Sequence, residues 1–453
     1  MTPPQSRPVP WVELLFLVPI TVGLFYAAWY LNRFGYLPQP YFYEPWGVFM
    51  DFFSVASYAH NNDAFNVFGT IYPPLSFALL KFISWGPCYK DNGVEEVRYC
   101  DYYGLSSLFV IYAINAVLIY LTYRKLDKHT AFPRSFAMIL GLPMTYALER
   151  GNLLLFTFTC VLLAYGPLVR SARLRWLFAG LAVNFKVYLI GTIFAQLLRR
   201  RWRWFEGALI ATILVYLVTY AIYGEGTPKQ MYENITLYAG GYKASTLLDL
   251  WYPNSLIPLR TLLEGDANFD VVGNLGSRWV EVGYLIVTGL TAAVILSIVA
   301  AAIAAWWRPQ VVPLHRLVFL SIGMALVTSE VGGYTQIFVV LFVFMETWRG
   351  FGRRAAIVMT YVLCISLDVK IENIGEIPRT SYLTGRPVLA HYALSVGVFV
   401  RPILIQLIIF TLSLVTIRDV WADARAHGWR LPWEGKSDRH TKRPPRPGCA
   451  AEQ

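Results

Sequence analysis

The sequence predicts an all-α, polytopic membrane protein with about 10–13 transmembrane or re-entrant helices and short external helices between them. Three observations carry this. The 453 residues are 56% hydrophobic and only 15% charged, which excludes a soluble globular or disordered chain. Apolar runs of bilayer length recur along it. Lys and Arg gather between those runs, as cytoplasmic loops require, so the net charge of +11 is a topological signal and nucleic acid is not an expected partner.

Val12 to Leu31 is long enough to cross and, with no small-residue cleavage site after it, reads as a retained helix. Asn32 to Asn66 follows as a mixed aromatic and polar external loop. Tyr72 to Trp85 begins with Pro73-Pro74, which suits a helix start, and Leu105 to Tyr123 is a clear span. Basic residues after it, including Arg124 and Arg134, mark an inner loop.

Three hairpins then have basic flanks at both ends, so each enters and returns. Ser135 to Leu148 and Asn152 to Tyr165 meet at Glu149-Arg150-Gly151; Trp176 to Leu198 turns near Asn184-Phe185-Lys186; Leu317 to Met345 turns near Ser329-Glu330 and Tyr334. Gly207 to Tyr223 and Glu281 to Ala305 enclose the largest external loop, 224–280. Ala355 to Asp368 leads to an external segment, Val369 to His391, and Leu394 to Ile417 returns. Residues 1–417 thus form the membrane domain, and 418–453 a basic cytoplasmic tail, disordered near anionic lipid.

An even number of crossings must separate Asp51 from Arg150 if both lie outside, yet three candidates intervene. Tyr72 to Trp85 is the first suspect for a segment that does not span, and Ser135 to Leu148, with Pro143, the second. Cys88 and Cys100 bracket a polar loop and can form a disulfide if it faces an oxidising compartment. The other cysteines and the histidines lack ligand spacing, so neither a metal site nor a cofactor is expected.

Asp51 is the candidate catalytic group. A carboxylate in an aromatic and apolar run is costly unless it has a use, although an acid beside a membrane helix is more often a solvated interfacial residue. Asp51, Ser54 and Tyr58 share one face if the stretch is helical. One such base suffices to take a proton from an attacking hydroxyl, whereas glycoside hydrolysis normally uses two carboxylates. Arg150 at a hairpin tip can fork onto phosphate oxygens or pair with adjacent Glu149. Lys186 in an apolar hairpin suits a cavity role. Asn254, Ser255 and Arg260 return the large loop to an apolar segment, with donors fit for sugar or phosphate. Glu330 is a second acid or a hydrated loop residue.

Asp51-Phe52, Tyr72-Pro73-Pro74-Leu75, Gly151-Asn152, Asn184-Phe185-Lys186, Asn254-Ser255-Leu256, and Ser329 with Tyr334 occur in an order that resembles membrane glycosyltransferases of the C-type fold. More narrowly it is similar to glycosyltransferase family 87, whose best known members are mannosyltransferases of phosphatidylinositol mannoside synthesis. The resemblance implies an inverting transfer on the external face from a polyprenyl-phosphate sugar, with Asp51 as catalytic base. Lys186, Arg150 and Arg260 then bind the donor phosphate, and Tyr58, Tyr72, Asn152, Asn254, Ser255, Glu330 and Tyr334 contact substrate. A lipid-linked or glycan acceptor, membrane lipids as surroundings and a hexose, mannose first, complete the expectation. The chain departs from the family in carrying Asn152 where Gln is usual and in lacking a proline near Ser329. A flippase of lipid-linked saccharides and a non-catalytic envelope subunit are the rival readings.

Overall fold

The computed structural model describes residues 11–41, 45–61, 64–90, 93–241, 252–264, 273 and 276–429. The chain opens with α1 (Trp11–Leu15), α2 (Leu17–Phe34), α3 (Met50–Asn61) and α4 (Pro74–Ile83). Next come α5 (Val94–Val97), α6 (Tyr102–Leu126), α7 (Ala131–Leu140), α8 (Leu142–Arg150) and α9 (Leu154–Tyr165). The middle holds α10 (Ala172–Phe185), α11 (Ile190–Leu198), α12 (Trp202–Tyr223), α13 (Pro228–Gly241) and α14 (Ile257–Leu263). The last third has α15 (Ser277–Trp307), α16 (Leu314–Thr328), α17 (Gln336–Val343), α18 (Phe351–Leu363), strands β1 (Lys370–Thr380) and β2 (Pro387–Ser395), and α19 (Val396–His427).

Among the described residues, five helical stretches are long and apolar enough to cross a membrane by length and composition: α1 with α2, α6, α12, α15 and α19. They surround shorter helices. Every residue of α17 is buried, as expected of a helix apolar on all sides.

The hairpins are visible in the side-chain pairings. Trp176 packs on Gly207, Gly180 lies against Ala211, and the Asn184 amide donates to the Thr212 carbonyl at 2.9 Å, so α10 and α12 run in the same direction and α11 between them must return. A β-carbon at position 180 would meet the α12 backbone at 2.9 Å, so glycine there sets the close approach of the two helices. Arg316, at the start of α16, pairs with Glu346 beyond α17 at 2.6 Å, closing the second hairpin at its open end.

α4 is too short to cross a membrane alone. Arg150 touches Asp51, so the two share a side, and the ten residues of α4 rise only about 15 Å, half a hydrocarbon core. The returning stroke after α6 is α7 plus α8, broken at Gly141.

Two differences from the sequence reading have physical causes. Three arginines read as loop charges are buried and paired: Arg134 with Glu13, Arg308 with Asp423, and Arg316 with Glu346 and Asp419. They tie helix ends together, because a desolvated guanidinium must be matched by carboxylates. The external segment after α18 is a two-stranded antiparallel ribbon pairing Lys370 with Ser395 through Thr380 with Pro387. Val388, Ala390 and Tyr392 recur at the strand period of two and join Ala27, Tyr30 and Tyr36 in a small core. The expected boundary at 417 falls inside α19, and residues 430–453, with the expected disorder and Cys449, lie outside the described residues.

Candidate active site

Asp51 lies in the first turn of α3, where a negative charge suits the helix dipole. The loop before it is fastened from outside. Arg98 donates to the carbonyl oxygens of Trp46 and Val48, the latter at 2.9 Å. Tyr382, in the turn of the ribbon, donates its hydroxyl to the Arg98 carbonyl at 3.1 Å and its backbone N–H to the Pro45 carbonyl at 3.2 Å. The Arg98 guanidinium also sits 4.5 Å from the Tyr382 ring centre, an attractive arrangement. Arg98 lies inside a covalent closure, the Cys88–Cys100 disulfide, whose ends are 12 positions apart. Replacing both cysteines by Ser is expected to lower stability by about 2–4 kcal/mol, read as an earlier thermal transition in detergent that reductant also produces in the native protein.

The partners of Asp51 come from the tip between α8 and α9. Arg150 Nη2 donates to Asp51 Oδ1 at 2.7 Å, and Asn152 Nδ2 donates to Oδ2 at 2.8 Å. Asn152 Oδ1 in turn accepts from the Leu154 backbone N–H at 2.9 Å, which fixes the amide with its nitrogen toward the acid. Gly151 joins them at φ +66°, and a β-carbon there would meet Phe49 at 3.0 Å. Glycine thus lets the tip adopt a left-handed conformation and close on the loop. Arg150 therefore pairs across the fold with Asp51, and adjacent Glu149 is not its partner.

Asp51 and Arg150 border a cavity of about 430 Å³ shared with Tyr58, Tyr72 and Tyr334, to which Trp46, Met50 and Ser54 also contribute. Two of the hairpin turns reach it, through Arg150 and Tyr334. Lys186, in the extended link between α10 and α11, stands behind Tyr72, donating to its hydroxyl at 3.1 Å, and lies 5.8 Å from the Tyr334 ring centre. Burial first, then the Asp51 charge, push the Tyr72 phenol well above its ordinary range, so it remains a proton donor.

Asn254, Ser255 and Glu330 form a clasp rather than cavity wall. Glu330 accepts from the Ser255 hydroxyl at 2.7 Å and from the backbone N–H groups of Asn254, Ser255 and Gly332 at 3.1–3.3 Å. Asn254 Oδ1 returns the tie by accepting from Val331 N–H at 3.2 Å. Burial pushes the Glu330 carboxyl up to about 7, with these four donors pulling it down. The clasp locks the link that carries Tyr334 against the large loop. Glu330→Gln leaves only one side-chain oxygen for four donors and is expected to cost about 1–3 kcal/mol, measured by thermal unfolding. Arg260 stands apart, half exposed, paired with Glu264 at 2.9 Å on α14, and does not reach the cavity wall.

Sequence reasoning missed Arg98, Tyr382, Trp46 and Met50. Arg98 carried a signal, a lone arginine inside a segment closed by two cysteines. Tyr382 carried none, because ribbon and loop are more than 300 positions apart.

Five long apolar helices among the described residues, with a carboxylate-lined cavity built by shorter helices and turns, are the features of a polytopic membrane protein with a chemically equipped site. Compared with known families, residues 70–329 match the model of glycosyltransferase family 87. The chain belongs to that family, and it is a glycosyltransferase with several candidate membrane spans. Asp51 precedes the matched region, whereas Tyr72, Arg150, Asn152, Lys186, Asn254 and Ser255 fall within it. Neither the curated proteins nor the solved structures gave a match.

Proposed function

We propose that the protein transfers a hexose, mannose first, from a polyprenyl-phosphate carrier to a hydroxyl of a lipid-linked or glycan acceptor, with inversion, on the external face of a cell membrane. The observation that carries this reading is the Asp51 carboxylate, held on both oxygens by Arg150 and Asn152 and bordering a cavity of about 430 Å³, within the range of small-ligand sites.

Each carboxylate oxygen keeps a second lone pair beyond those engaged by Arg150 and Asn152. Asp51 accepts the acceptor's hydroxyl proton as that oxygen attacks the anomeric carbon. The bond from that carbon to the phosphate oxygen breaks, and the electron pair leaves with the polyprenyl phosphate. Arg150, with Lys186 behind Tyr72, meets the developing negative charge. Tyr58, Tyr72 and Tyr334 offer ring faces and hydroxyls to the sugar. Asn254, Ser255 and Glu330 act by holding Tyr334 in place, and Arg260 has no role in this reading.

The test is purified protein in nanodiscs with labelled polyprenyl-phosphate mannose or glucose and a set of lipid acceptors, with nucleotide sugars as control donors. Product of inverted anomeric configuration from a polyprenyl-phosphate donor supports the reading; turnover of nucleotide sugars alone overturns it. Sidedness is read from Thr384→Cys in the ribbon turn, which a membrane-impermeant maleimide should label from outside intact cells.

A further inference from the structure

Behind the Asp51 cavity lies a second one, of about 240 Å³, bounded by Leu24 and Ala27 of α2, Leu37, Phe49, Leu148 and Glu149. The two share a wall. Gly47 and Met50 face the first cavity while Val48 and Phe49 face the second; Arg150 faces the first and Glu149 the second. The Phe49 N–H donates to the Glu149 carbonyl at 2.7 Å, which zips the two strands of the wall together.

Most of what faces this second space is hydrocarbon; Tyr41 and Thr145 also border it, with the Thr145 hydroxyl donating to the Tyr41 hydroxyl at 3.3 Å, and Glu149 brings the carboxyl. Glu149 is 5% exposed, and neither side-chain oxygen has a hydrogen-bond partner among the described residues. A buried carboxyl without a partner carries its full desolvation cost, and the nearby Tyr41 and Thr145 hydroxyls are not bonded to it. The cavity flanks α2, part of a candidate span whose apolar window is only 22% buried, and Leu383 on its rim is 39% exposed. An occupant therefore comes from the hydrocarbon side and needs an aliphatic body with a single hydrogen-bond donor.

We propose that this cavity is a lipid-binding site, separate from the sugar cavity, that takes an aliphatic chain carrying a hydroxyl or amine and receives that donor on Glu149. An occupant there presses on the wall whose other face carries Arg150, so its binding bears on the position of the Asp51 partner. The chemistry fits two sources, the acceptor lipid or a resident membrane lipid. The inference stands on the cavity and on Glu149 and does not rest on the glycosyl-transfer reading.

The experiment is photolabelling of the full chain in nanodiscs with a diazirine-bearing long-chain alcohol and with the matching alkane, followed by peptide mapping. The alcohol should label peptides containing Leu24–Ala27 and Leu148–Glu149 and be displaced by unlabelled alcohol. Labelling should fall about tenfold in Glu149→Leu, through loss of the acceptor, and also in Leu148→Trp, which fills the space, and be largely kept in Glu149→Gln. Thermal unfolding of each variant separates loss of the site from loss of the fold. Equal labelling by alcohol and alkane, or alcohol labelling unchanged in a folded Glu149→Leu protein, overturns the proposal. Adding labelled polyprenyl-phosphate mannose distinguishes the sources: a glycosylated alcohol marks the acceptor and an unmodified one a resident lipid, and the site stands in both cases.

Discussion

Asp51→Asn is expected to lower kcat by about 10² to 10⁴, the contribution of a positioned general base, and also to lower the thermal transition, because Arg150 loses its carboxylate partner. The substitution is nearly isosteric, so the cavity keeps its shape. What changes is chemistry: an amide has no basic oxygen for the acceptor's proton, and its nitrogen presents hydrogens toward Arg150 or Asn152, both of which are already donors. KM for the donor should move far less than kcat, because the sugar pocket is otherwise intact. Single-turnover measurement with labelled donor gives the chemical step directly, and unimpaired turnover by the Asn variant would remove Asp51 from the mechanism.

Arg150→Gln is expected to act on two quantities at once. The pair it breaks is largely shielded, with 16% and 21% of the two side chains exposed, and removing one partner of a buried pair costs about 3–5 kcal/mol; partial exposure puts this site at or below the low end of that range. On the proposed function, donor affinity should fall as well, since the guanidinium assigned to the anomeric phosphate is lost. Combining it with Asp51→Asn gives a cycle in which the stability effects fall short of adding, because the two residues act as one unit. Additive losses of stability would mean that the two side chains do not depend on each other.

Much of this arrangement was legible in the chain because membrane insertion imposes coarse rules. Hydropathy marked the spans, and basic flanks marked three of the segments that turn back. Two of the turns so marked, at Arg150 and Tyr334, line the cavity, and Lys186 of the third stands behind Tyr72. The face shared by Asp51, Ser54 and Tyr58 was readable from helical spacing, and the three do line one space.

What stayed hidden was pairing over distance. Hydropathy treats Arg134 and Arg316 as loop charges and cannot see that Glu13 and Glu346 neutralise them. Donor chemistry and the family resemblance gave Asn254, Ser255 and Glu330 to the substrate, because a donor cluster looks the same whether it faces a ligand or another loop. The ribbon was missed for a different reason: its inward residues Val388, Ala390 and Tyr392 follow a period of two in a stretch too polar to register as a membrane segment.

The Cys88–Cys100 bond has a consequence that reaches beyond stability. It closes the segment from which Arg98 grips the loop ahead of Asp51, and it ends next to Asp101, the N-cap of α6, which also accepts from Tyr89 within the closed segment. A chain whose thiols are still reduced is thus expected to hold the loop ahead of Asp51 less firmly than the oxidised one. Specific activity should then track the fraction of oxidised protein, and the enzyme would stay less active until it reaches a compartment that can form the bond.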